Sequence, residues 1–139
     1  MSTIDTVLYT GRTHTVSGRE GHARSDDGRL EIRLSRPGSS GPGTNPEQLF
    51  AAGWSACFLG AMARAAQKRG LRLPADASVD AEVDLGSAGD EFFLQARLWV
   101  SVPGVDRETA QGLADAAHQI CPYSKATRGN IDVRIGVAA

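Results

Sequence analysis

Cysteine is scarce in this chain: Cys57 and Cys121 are the only two among 139 residues. Two sulfurs so far apart offer no paired-ligand spacing, which excludes a cysteine-built metal site. Two thiols without an export signal fit a reducing cytoplasm, where a disulfide is transient rather than a structural staple. The opening Met1-Ser2-Thr3-Ile4-Asp5 has no basic stretch followed by an apolar one, so no secretory signal is expected. Excess charge is missing too. A formal net charge of −1 gives no electrostatic ground for a nucleic-acid or anionic-membrane partner. The uncharged run between Glu47 and Arg64 falls short of the roughly 20 residues that span a bilayer, so no membrane insertion is expected. What is present, 41% apolar and 22% charged residues, is ordinary for a folded soluble protein. The length predicts one domain, residues 1–139, able to bury a real core.

The first third reads as β. Val7 to Thr10 and Thr13 to Val16 are rich in β-branched residues and precede a glycine-flanked tetrad, Gly18-Arg19-Glu20-Gly21. A turn at Asp27-Gly28 leads into Leu30, Ile32 and Leu34, which alternate with Glu31 and Arg33. Pro37 to Gly43 is a loop. Thr44-Asn45-Pro46-Glu47 then forms a capping box with Thr44 as N-cap. The helix it starts runs to about Arg69, with Gly70 as its left-handed cap. Phe50, Trp54, Cys57, Phe58, Ala61 and Ala65 share one stripe, while Leu49, Gly53, Gly60 and Met62 keep the other faces apolar or small. A helix apolar nearly all round is buried on most sides. In so small a domain, that implies cover from a partner subunit.

Val79, Ala81, Val83 and Leu85 alternate with charged residues, and Phe92, Leu94, Ala96, Leu98, Val100 and Val102 then alternate against Gln95 and Arg97. Asp106 caps a second helix, whose stripe is Ala110, Leu113, Ala114, Ala117, Ile120 and Cys121. Pro122 stops it, a loop follows to Asn130, and Ile131 to Val137 form a last strand. The order strands, helix, strands, helix, strand predicts an α+β fold.

A thiolate nucleophile needs a cation, a helix N-terminus or a histidine within reach. Around Cys57, the residues three or four positions away are Gly53, Trp54, Gly60 and Ala61, and none helps. The helix start is roughly 15 Å back. Activation must arrive from another segment, and Arg19 in its tight turn is the candidate. The same turn also reads as an ordinary hairpin with a solvated arginine. Glu47 reads as a capping-box member or as an anchor for the Arg19 guanidinium. Glu47 and Cys57 cooperate only if the helix breaks near Gly53 or if they meet across a dimer interface. Cys121 reads as a small apolar residue or as a resolving thiol at a mobile helix end. His118 sits one turn earlier, as a stripe-edge residue or a base. Phe50, Trp54 and Phe58 suit a core and equally an apolar substrate pocket.

The tetrad at 18–21, the run Gly43-Thr-Asn-Pro-Glu-Gln-Leu-Phe-Ala-Ala-Gly-Trp-Ser-Ala-Cys-Phe-Leu-Gly-Ala61, and Cys121-Pro-Tyr-Ser-Lys-Ala-Thr-Arg-Gly-Asn-Ile-Asp-Val133 together resemble the organic hydroperoxide resistance branch of the OsmC/Ohr family. The resemblance spans essentially the whole chain. It implies an intertwined homodimer whose long central helices are enclosed by sheets. It implies Cys57 as peroxidatic thiolate, Cys121 as resolving thiol, Arg19 as activating cation and Glu47 as its anchor. The implied reaction is reduction of alkyl and fatty-acid hydroperoxides, with no bound cofactor, recycled by dihydrolipoamide or lipoylated proteins. The alternative within this resemblance is a redox-sensing or ligand-binding dimer without turnover; a structural domain with inert core cysteines is the other rival. Trp54 stands where the family usually has tyrosine, Lys125 stands for the usual asparagine, and the loop before Gly43 is shorter.

Overall fold

The computed structural model describes residues 2–138. Its elements are β1 (Thr13–Val16), β2 (His22–Ser25), β3 (Glu31–Arg33), α1 (Pro46–Lys68), β4 (Ser78–Ala88), β5 (Glu91–Ser101), α2 (Arg107–Ile120), α3 (Pro122–Thr127) and β6 (Asp132–Val137). This is the expected α+β composition. The chain divides into two compact units, one ending at Pro46 and the other beginning at Glu47.

The first unit is an antiparallel meander in the order β1-β2-β3. Ser17 and Gly18 both adopt left-handed backbone, φ 61° and 57°, and lead into a one-turn 3-10 helix over Gly18–Glu20. Gly21 is needed there, because a Cβ would lie 1.7 Å from the Val16 carbonyl oxygen. The tetrad is thus a hairpin turn carrying Arg19 at its tip. In the next turn the Ser25 hydroxyl donates to Asp27 at 2.6 Å, and the Arg29 N–H donates to the same oxygen at 3.0 Å. Gly28 supplies the positive φ of 75°.

Two expectations here need correction. Val7 to Thr10 belong to no strand, and Leu8 and Tyr9 are 94% and 79% exposed. β-branched residues favour extended backbone, but a strand also needs a neighbour for its N–H and C=O groups. The N-cap position falls on Asn45 rather than Thr44, because Thr44 is held in a bridge to Leu34. Its N–H donates to the Arg33 carbonyl at 2.9 Å, and its own carbonyl accepts from Ser35 at 2.9 Å.

In the second unit β5 is the central strand of the order β4-β5-β6. The register pairs the apolar positions read from the sequence: Val79 with Val100, Ala81 with Leu98, Val83 with Ala96 and Leu85 with Leu94. β6 runs parallel to β5, so α2 and α3 form the crossover that a parallel pair requires. Asp106 caps α2, accepting the Thr109 N–H at 3.0 Å. The other sheet face mixes charge with the exposed rings of Phe93 and Trp99, and on it Arg97 grips Asp84 through two bonds of 2.9 and 3.0 Å.

α1 is continuous through Gly53. It closes as expected at Gly70 (φ 71°), where the Gly70 N–H donates to Gln67 and the Leu71 N–H to Ala66. By length and composition alone it could cross a membrane, with 23 residues that include an 18-residue stretch of mean hydropathy 1.3. One face nonetheless belongs to the core: Trp54, Phe58, Met62 and Ala66 are fully buried with Leu98, Val100 and Leu113. Burying a side chain such as Phe58 or Met62 stabilises by roughly 1.5–3 kcal/mol. Burial on most sides is not what a single chain has. Ala52, Ala56, Gly60 and Ala63 are exposed, and a Cβ at Gly60 would meet nothing within 4 Å.

The predicted loop from Pro122 to Asn130 is corrected to the short helix α3 and a turn. Pro122 forces the preceding Cys121 into extended backbone, φ −65° and ψ 124°, which ends α2. Its own fixed φ suits the first helical position, so a new helix starts immediately.

Candidate active site

Cys57 sits mid-way along α1 and Cys121 at the junction of α2 and α3. The fold brings them together, with the Cys121 Sγ 3.6 Å from the Cys57 Sγ, both as free thiols. A disulfide, at about 2.05 Å, needs the sulfurs to close by about 1.5 Å. Cys121 is fully buried, while Cys57 is partly exposed at a cleft of about 410 Å³.

The backbone around Cys121 explains how it is held. Its N–H donates to the Ala117 carbonyl at 2.8 Å, and its carbonyl accepts from the Lys125 N–H at 3.0 Å, so it closes one helix and opens the next. α3 is fastened to the first half of α1. The Trp54 indole N–H donates to the buried Ser124 hydroxyl at 3.4 Å. Phe50 meets Trp54 and Tyr123 edge-on, with ring centroids 5.6 and 6.2 Å apart. Gly53 admits the Tyr123 hydroxyl, which would lie 3.2 Å from a Cβ there. The space that Gly53 leaves is therefore filled by Tyr123 of α3.

The electrostatics of Cys57 oppose reactivity within this unit. Burial pushes its thiol above the ordinary range, and the Cys121 sulfur adds in the same direction. The Tyr123 backbone N–H pulls it back down by hydrogen-bonding to the sulfur. Pro122 has no N–H, so Tyr123 offers the first free amide of α3. The sequence carried that signal in the Cys-Pro-Tyr order, but only the fold points the amide at Cys57. Arg64 and Lys68 also line the cleft, as does Lys125. Their spacing of seven and eleven from Cys57 was legible on the helix; the three- and four-residue neighbours alone did not reveal it.

Arg19 occupies the hairpin turn of the first unit, and Glu47 the first turn of α1 in the second. Since α1 is unbroken, Glu47 and Cys57 remain about 15 Å apart along one helix. Of the aromatic trio, Trp54 and Phe58 are completely buried and Phe50 is partly exposed. His118 is half-buried at the end of α2, and its Nδ1 has no partner among the described residues. Burial, then Arg128, hold its pKa below the usual histidine value. Among the described residues no cluster of three or more His, Cys, Asp or Glu is placed to hold a metal.

Comparison with known proteins fixes the class. Residues 38–136 match the family model described as OsmC-like protein. An organic hydroperoxide resistance protein of Xanthomonas axonopodis pv. citri is 48% identical over 99% of this chain and 100% of its own length. The crystal structure of OhrB of Bacillus subtilis superposes with a TM-score of 0.88 at 41% identity, covering 95% of this chain and 100% of that one. An organic hydroperoxide resistance protein of Vibrio cholerae, with captopril bound in one of its active sites, superposes at 0.89 with 40% identity, covering 97% of this chain and 95% of that one. The fold is thus that of the OsmC-like proteins, and the chain belongs to the OsmC/Ohr family, in its organic hydroperoxide resistance branch. Membership supports a role in peroxide detoxification.

Proposed function

We propose that this protein is a cysteine-based peroxidase that reduces organic hydroperoxides to alcohols. The observation that carries the reading is the 3.6 Å separation of two free sulfurs, one partly exposed and one buried. The Cys57 thiolate attacks the terminal peroxide oxygen. The O–O bond breaks, its electron pair leaves on the alkoxide, which takes a proton, and Cys57 becomes a sulfenic acid. The Cys121 sulfur then attacks the sulfenic sulfur, and the disulfide forms as water leaves. A dithiol, dihydrolipoamide or a lipoylated protein, reopens the disulfide by exchange and departs as its own cyclic disulfide. No bound cofactor enters the cycle.

The upward-shifted thiol of Cys57 calls for a cation, and Arg19, oriented by Glu47, is the proposed source. The unbroken α1 and its exposed small-residue face support a homodimer in which these residues meet Cys57 across the interface. Phe50, with Trp54 and Phe58 behind it, is proposed as the apolar wall toward the substrate. A cytoplasmic location matches the reducing conditions the cycle needs. The captopril-bound Vibrio relative supports a family active site open to a small thiol compound.

A second reading is a sensor or ligand-binding dimer whose thiol is oxidised once without turnover; the raised Cys57 thiol slows oxidation in both readings and so favours neither. Steady-state consumption of an organic hydroperoxide with dihydrolipoamide decides between them. Sustained turnover that Cys57→Ser abolishes supports the peroxidase. A single stoichiometric oxidation supports the sensor, and turnover retained in Cys57→Ser removes the thiol mechanism.

A further inference from the structure

The cleft at Cys57 is walled by charge of one sign. Arg64 and Lys68 follow Cys57 along α1 at seven and eleven positions, which places both within about 20° of its direction on the helix. Lys125 lines the cleft from α3, and Ile120 and Pro122 give it an apolar part. Among the described residues no carboxylate lines it. All three cations are exposed, and none takes part in an ion pair among the described residues. At about 410 Å³ the cleft is within the usual range of small-molecule sites. Clustered like charges beside a low-dielectric wall raise the local concentration of the opposite ion. This occurs in a chain whose net charge is only −1.

We propose that this cleft selects anionic ligands, with Arg64, Lys68 and Lys125 holding the carboxylate of a small molecule whose other end reaches the Cys57 sulfur. The inference deepens the peroxidase reading and rests on Cys57 as its reactive thiol. The shared chemistry is a carboxylate, borne by the hydroperoxide or by the reducing dithiol. Lys125 is the specificity-determining position of the three, because it alone approaches from α3 and brings charge to the wall opposite the helix.

Iodoacetate and iodoacetamide test the cleft without peroxide chemistry. Both form a sulfur–carbon bond as iodide leaves, and they differ only in a carboxylate against a neutral amide. Cys121 is fully buried, so alkylation mapped by peptide mass reports Cys57. Dividing the two rates cancels any change in thiolate fraction. At low salt the acetate-to-amide ratio should exceed that of free cysteine by about five-fold or more. It should fall toward the free-cysteine value at high salt and in the triple variant Arg64→Gln, Lys68→Gln, Lys125→Gln. Lys125→Gln alone should lower it about two-fold. A ratio equal to that of free cysteine and unmoved by the triple variant overturns the proposal.

Two kinetic arms identify the ligand's source. One compares kcat/KM for a carboxylate-bearing and a neutral hydroperoxide with dithiothreitol as reductant. The other compares dimercaptosuccinate with dithiothreitol at a fixed neutral hydroperoxide. The arm whose anionic-to-neutral ratio drops in the triple variant names the source, and a drop in neither overturns the assignment to substrate or reductant. No turnover with any pair, beside an intact alkylation preference, overturns the peroxidase reading and leaves the anion site standing.

Discussion

The two sheets have three strands each, yet they bury very different amounts. In the second unit β5 alone places Ala96, Leu98 and Val100 at 2% exposure or less, under the cover of α1 and α2. The meander of the first unit has Ala23 and Leu34 as its buried apolar residues, each at 6%, and its turn carries the arginine proposed to activate Cys57. Alternation makes a sheet, and a core needs a second layer to close against it. The second unit supplies its own layer in helices. The first has strands too short and faces too sparsely apolar to do so, which fits the role proposed for it, presenting Arg19.

On that division of labour, the largest expected effect is kinetic and starts in the first unit. Arg19→Ala should slow the reaction of Cys57 with an organic hydroperoxide by about a hundred-fold and raise the thiol pKa, with the fold intact. Stopped-flow oxidation rates across pH check this, and an unchanged rate removes Arg19 from the mechanism. Stability should show the opposite asymmetry. Leu98→Ala, on the fully buried central strand, should cost about 2–5 kcal/mol in denaturant unfolding. Ile32→Ala on half-buried β3 should cost about 1 kcal/mol or less. Equal losses would break the comparison.

Smaller effects sharpen the second unit itself. Trp54→Phe removes the indole N–H bonded to Ser124 and leaves a smaller ring in a fully buried site, so stability should fall by about 1–3 kcal/mol. Disulfide formation between Cys57 and Cys121 should also change rate, because α3 is less firmly fastened; rapid-quench mass analysis reads this. The smallest effect is confined to acid. Arg97, then Gln95, hold the Asp84 carboxyl down at about 2 in the folded chain, from 3.8. A depressed carboxylate stabilises fully above its unfolded pKa and loses that contribution as pH falls through the folded one. Unfolding curves between pH 5 and 2 should therefore be flatter in Asp84→Asn than in the parent chain. Parallel curves would show the pair to be energetically silent.

Much of this is legible residue by residue. The β4–β5 register follows from strict alternation, α2 from Asp106 and its stripe, and the end of α1 from Gly70. Val7 to Thr10 misled because propensity was read without a partner strand. The segment after Pro122 misled because six residues are too few to show a helical period. At the site, both sulfurs are legible as the only two cysteines, and Arg64 and Lys68 in their helical spacing from Cys57. The Tyr123 amide was not legible, since a backbone N–H has no residue type.

Most of the elements, their order and the two thiols follow from the amino-acid order alone, because periodicity, caps and turn residues are local properties. Only the tertiary structure decided that Cys121 lies 3.6 Å from Cys57, that burial outweighs the Tyr123 amide in setting that thiol, and that three cations line one cleft. Those are distances between segments far apart in the chain, and they exist only once packing has paid the entropy of bringing the segments together.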